Sequence, residues 1–154
     1  MAHLKYTDAT PLGAQFGAMC HYSQAVTLPS GIIKLSGQGG WDPLTGSLAK
    51  DGAAEEGKAF LDVATQIDHA LASIEVILRD AGCTTDPWSS VYLIRSYHVD
   101  LTSDAFFTMV AKIREKCGEG HRPVWTAVGV ERLGLEGMMV EIEVEAVSPE
   151  GAAK

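Results

Sequence analysis

The chain has 154 residues, 46 % of them apolar, which suits one domain with a sizeable core. Twelve Lys and Arg stand against 20 Asp and Glu, a formal net charge of −8. That balance disfavours nucleic acid and anionic membrane surfaces, no apolar run approaches the ~20 residues of a bilayer span, and "MAHLKYTDATPLG" does not read as a signal peptide.

In chain order, "YSQAVTL" (Tyr22–Leu28) and "IIKLSG" (Ile32–Gly37) read as two short strands around the turn Pro29-Ser30-Gly31. Gly39-Gly40 follows, a weak phosphate signal because neither a helix nor a lysine comes next. "DPLTG" (Asp42–Gly46) is a turn. The spacing then predicts a long helix from Ala53 to Ala81. Phe60, Val63, Ile67, Leu71, Ile74 and Leu78 share its apolar face, and Gly82 stops it. Trp88–Val99 is rich in β-branched and aromatic residues and reads as a strand. "TSDAFFTMVAKIREKC" predicts a second helix, with Thr102 or Ser103 as N-cap and Phe106, Met109, Val110 and Ile113 on its apolar face. Val124–Val130 and Met138–Val147 are the last two strands. In the final one Val140, Ile142 and Val144 point one way, and Glu141, Glu143 and Glu145 the other.

The order β-β-α-β-α-β-β predicts an α+β domain, a mixed sheet with two helices on one face. The other face is either wet or covered by a partner. Three glutamates at two-residue spacing repel one another unless paired, so that face holds a solvated row or a pocket carboxylate.

Cys20, Cys83 and Cys117 lack metal-ligand spacing, which predicts free thiols in a reduced, cytoplasmic setting. His69 falls on the surface of the long helix. His98 and His121 lie near strand ends without a metal partner at useful spacing, so no metal is expected.

The segments "YSQAV", "SGQGGWDPLTG", the helix end "DAG" and "VEIEVEA" together resemble the RidA/YjgF/UK114 family, over about Tyr22 to Val147. The resemblance implies a chorismate-mutase-like fold over a single domain, residues 1–154, with its core at about 20–148. It also implies a homotrimer built as a barrel, with a small-molecule cleft between neighbouring subunits. In the best-known branch such clefts hydrolyse reactive enamines and imines without a cofactor. Carried over motif by motif, the catalytic set is Tyr22, Ser36 and Glu141, with Gly37 beside the serine. Glu141 follows from taking Gly137 as anchor; sliding by two selects Glu143.

The departures concern the substrate. The deaminase branch has an arginine two places after a proline, where it clamps a carboxylate. Here "PVWT" puts Trp125 there, which has one donor and no charge. A frequent cysteine two places on is Ala127, and an expected asparagine on the second helix falls on Val110 or Met109. Arg122 is one replacement anchor. Strand alternation points it away from Trp125 unless Pro123 breaks the pattern, and Arg95 is a weaker alternative. Two functions fit. One is an enzyme with acid–base chemistry on an imine, enamine or related carbonyl compound, extending to a biosynthetic tailoring step. The other is a non-catalytic trimer that binds a metabolite or a protein client. Ribonuclease activity, also ascribed to parts of the family, ranks third because the chain is acidic and lacks a histidine pair.

Overall fold

The structure is a computed structural model, and it describes residues 3–49 and 60–149. The elements are β1 (Lys5–Thr7), α1 (Pro11–Cys20), β2 (Ala25–Thr27), β3 (Ile32–Leu35), β4 (Gln38–Gly39), α2 (Val63–Asp80), β5 (Val91–Val99), α3 (Ser103–Cys117), β6 (Val124–Val130) and β7 (Val140–Val147). One mixed sheet runs β1-β2-β3-β7-β5-β6, with β4 also pairing β7. β5 and β6 are parallel, and α3 supplies the crossover that parallel neighbours require.

One sheet face carries the core. α2 buries Ile67, Leu71, Ile74 and Leu78 against Ile33, Ile94, Ile142 and Val144. α3 starts at Thr102, whose hydroxyl accepts from the Ala105 amide at 3.1 Å, and ends at Gly118 with φ of 75°. Two ion pairs tie α3 to α2: Lys112–Asp68 at 2.7 Å and Lys116–Glu75 at 2.9 Å. Lys116, with help from Arg79 and the Trp88 indole, holds the Glu75 carboxyl down at about 2.

The start of α2, Phe60 and Trp88 depart from the sequence expectation. α2 begins at Val63 rather than Ala53, because Asp62 caps it by accepting from the Thr65 amide at 2.9 Å. The expected stretch 53–59 lies outside the described residues. Phe60 keeps helical spacing but is not in the helix; it bridges Ala49 as an isolated β pair. Trp88 belongs to a 3-10 turn, Pro87–Ser90, and the strand starts after it. α1, β1 and β4 were not expected at all. α1 contains Gly13 and Gly17, poor helix formers. It is held by the Thr10 cap, by Leu12 against Gly46 and by Phe16 packed on Trp41 at 6.3 Å.

Gln66 fixes β7 to α2. It is fully buried, donates to the carbonyls of Leu61 and Gly137, and accepts from the Met139 amide, each at 2.9 Å. Gly137 sits at φ 81°, and a Cβ there would lie 2.2 Å from the Phe60 ring. This turn therefore sets where β7 starts and which glutamate reaches which neighbour. Gln66→Leu leaves three backbone groups without partners. It is expected to lower unfolding stability by about 2–4 kcal/mol, read from denaturant midpoints at unchanged m.

Candidate functional site

β7 alternates as its sequence implies: Val140, Ile142 and Val144 are buried, while Glu141, Glu143 and Glu145 lie on the opposite face. Two of the three carboxylates are paired. Glu143 accepts from Arg95 at 2.6 Å. Glu145 accepts from Lys34 at 2.9 Å and from the Tyr92 hydroxyl. Glu141 has no hydrogen-bond or ion-pair partner among the described residues. Burial, and then the nearby charge of Glu143, push its carboxyl above the usual range.

The segment after β3 closes over Glu141. Gly39 of β4 pairs with Glu141 in the backbone register. A Cβ on Gly37 would fall 2.0 Å from Glu141 Oε1, so only glycine lets the loop pass so near the carboxylate. Gln38 Nε2 holds this loop by donating to the carbonyls of Ser36 and Gly37, at 2.9 and 3.2 Å. The Ser36 hydroxyl donates to the Ser23 carbonyl at 2.8 Å, which joins the loop to the segment bearing Tyr22. Tyr22 follows α1 directly, outside the strand expected to contain it, and is 37 % exposed. Its hydroxyl is pushed up by burial and by the charges of Cys20, Asp8 and Glu141. Tyr22, Ser36, Gly37 and Glu141 are thus brought to one end of the sheet.

Trp125, Val110 and Arg122 form a second group. They line a groove of about 400 Å³ between the C-terminal half of α3 and the mouth of β6, with Ile113, Arg114 and Pro123. Arg122 lies outside β6, so strand alternation does not turn it away; it lines the same groove as Trp125. Of the two helix positions, Met109 is fully buried in the core and Val110 faces the groove. Trp125 stacks on Phe106 at 5.2 Å and 21°, and its indole Nε1 donates to Ser96 Oγ at 3.0 Å. Ser96 Oγ is also 2.9 Å from His98 Nε2. Burial pushes His98 below its ordinary value, which favours a neutral ring.

Phe106, Ser96 and His98 as supports of Trp125 were not identified from the sequence. A signal was present: strand alternation places Ser96 and His98 on the buried face beside Ile94, where polar residues need partners.

The two groups face opposite ways within one protomer. Trp125 is in register with Ile94, which is buried under the helices. Glu141 is in register with Tyr97, on the other side of β5. The open face also carries Val124, 63 % exposed, on the edge strand β6. Among the described residues, no group of three or more His, Cys, Asp or Glu is placed to hold a metal, and no helix is long and apolar enough to cross a membrane.

The domain is α+β, with helices on one sheet face, an unpaired carboxylate under a glycine loop on the other, and an aromatic-lined groove at the edge. Residues 13–148 match the family model described as Endoribonuclease L-PSP, and the chain belongs to that family, the RidA/YjgF/UK114 proteins. It is similar to human 2-iminobutanoate/2-iminopropanoate deaminase, 33 % identical over 131 residues, covering 85 % of this chain and 82 % of the relative. The rat protein of the same name is 34 % identical over 126 residues, 82 % of this chain and 79 % of the relative. Among solved structures, protein YjgH superposes with a TM-score of 0.67 at 28 % identity, covering 94 % of this chain and 97 % of that one. A YjgF/UK114 family member from Mycobacterium tuberculosis gives 0.67 at 25 % identity, with 93 % and 99 % covered.

Proposed function

We propose that the protein is a cofactor-independent acid–base enzyme acting on an imine, enamine or related carbonyl compound, in a cleft shared by neighbouring copies of a homotrimer. The observation that carries this reading is Glu141: half-buried, unpaired and shifted toward its protonated form beside Gly37 and Tyr22. Such a carboxyl can give a proton to an imine nitrogen while water attacks the carbon. One proton of that water passes to the resulting amine, and the carboxylate takes the other from the new hydroxyl as neutral ammonia leaves and the carbonyl forms. The deaminase names of the relatives point to the same chemistry. The groove carrying Trp125 is apolar at the position where the resemblance expects an arginine. A larger and more apolar substrate than iminopropanoate fits it, as does a biosynthetic tailoring role.

Since Glu141 and Trp125 face opposite ways in one protomer, one site can contain both only if two copies contribute. The open sheet face and the uncovered edge of β6 are the surfaces available for that contact. The test uses imines formed in place by an amine or amino-acid oxidase, read by the rate at which trapped imine is lost. Glu141→Gln and the groove-filling Val110→Arg are each expected to be inactive. Trimers reassembled from equal parts of the two should recover about a quarter of wild-type activity, the share of clefts that take an intact half from each partner. No recovery would confine the site to one protomer. No acceleration of any imine by the wild type would leave a non-catalytic binding trimer.

A further inference from the structure

The groove between α3 and the mouth of β6 has a fixed aromatic wall. Phe106 covers part of the Trp125 indole, and the one polar atom of that side chain is committed to Ser96. What Trp125 offers the groove is therefore carbon surface alone. Val110, Ile113 and Pro123 extend that apolar lining. The charged groups stand at the rim. Arg114 is loosely opposed by Glu119 at 3.6 Å, whereas Arg122 has no acidic partner among the described residues. An apolar cleft of this size with one uncompensated guanidinium is complementary to a flat hydrocarbon body that carries one negative charge at its end.

We propose that this groove binds a small aromatic anion of the arylalkanoate type, with its ring against Trp125, Val110 and Ile113 and its carboxylate on Arg122. The inference rests on the small-molecule reading above and names the class of molecule which that site takes. It moves the anchoring charge from the strand position at Trp125 to the turn before β6. A short imino acid has no ring to cover the apolar lining formed by Trp125, Val110 and Ile113, whereas an aryl group does.

The probes are 3-phenylpropionate, its neutral analogue 3-phenylpropanamide, and propionate, each titrated calorimetrically into the full-length protein in low and high salt. Phenylpropionate should bind at least about tenfold more tightly than propionate, because a buried ring adds well over 1.4 kcal/mol. It should bind about threefold to fivefold more tightly than the amide, the range for a solvent-exposed charge pair, and the margin should shrink in high salt. Arg122→Gln should abolish the acid-over-amide margin and leave the ring preference. Val110→Arg should remove binding of both aromatic probes. Melting curves and sedimentation of each variant separate a blocked groove from a misfolded chain. Equal affinity for propionate and phenylpropionate, or an acid preference that survives Arg122→Gln, would overturn the proposal. Repeating the titration on Glu141→Gln keeps the two readings apart. Aromatic binding without imine turnover would defeat the enzymatic reading alone, and Glu141-dependent turnover without aromatic binding would defeat this one alone.

Discussion

Glu141→Gln is expected to lower turnover about 10²- to 10⁴-fold, the usual contribution of a positioned acid or base, while making the protein more heat-stable at neutral pH. The two effects share one cause. The Glu141 carboxyl is pushed above its ordinary 4.5 by burial and by Glu143. In the unfolded chain it ionises freely. Below its unfolded pKa the carboxyl is protonated in both states, and the shift costs nothing. As pH rises through the unfolded and then the folded pKa, the folded state has to carry a poorly solvated charge, and the penalty is complete above the folded value. Glutamine never carries that charge. The melting-temperature gain of Glu141→Gln should therefore be present at pH 7 and vanish below about pH 4. A second copy over the same face would remove more water and push the carboxyl further in the same direction. Turnover that depends on the protonated form should fall as pH rises through the shifted pKa. Glu143→Gln should behave differently, because Glu143 is held by Arg95 at 2.6 Å. Its loss leaves Arg95 with the more distant Glu145 at 3.7 Å and should change turnover little. A Glu141→Gln enzyme with full activity, or an equal defect in Glu143→Gln, would remove Glu141 from the mechanism.

The choice between these two glutamates shows where sequence reading stops. Strand alternation placed both on one face, and the structure agrees. Alternation has no means of telling them apart, because the difference is made by Arg95, Lys34 and Gly37, which come from other strands or loops. The same limit appears at Arg122. Alternation extended back from Val124 sends it away from Trp125 unless Pro123 breaks the pattern, and the turn before the strand does carry Arg122 into the groove. β6, β7 and α3 were nearly complete in the sequence because period and capping coincide there. α1 was invisible because its stability comes from Trp41 and the Asp42–Gly46 turn rather than from its own pattern.

Deamination of short 2-imino acids is expected to be slower here than in the human relative by on the order of 10²-fold or more, since a charged bidentate contact is worth about 2–5 kcal/mol. Trp125 cannot replace that contact. It carries no charge, and its only donor is taken by Ser96 at 3.0 Å. Arg122 is exposed at the rim, where a single charge pair adds little. Trp125→Arg should recover part of the loss. The new side chain starts from a strand position fixed by the pairing with Ile94, and the space left by the indole lies beside the groove. Recovery should be incomplete, because Val110 and Ala127 remain apolar or small where the deaminase pattern has polar groups. The gain should come chiefly through KM, since an anchor that holds substrate and transition state alike changes binding more than kcat. The measurement couples each protein to a pyridoxal-phosphate dehydratase and follows keto-acid release, with the human relative as reference. A wild-type rate equal to that reference would show that another group anchors the carboxylate. A folded Trp125→Arg variant with no gain would show that position 125 does not face the substrate.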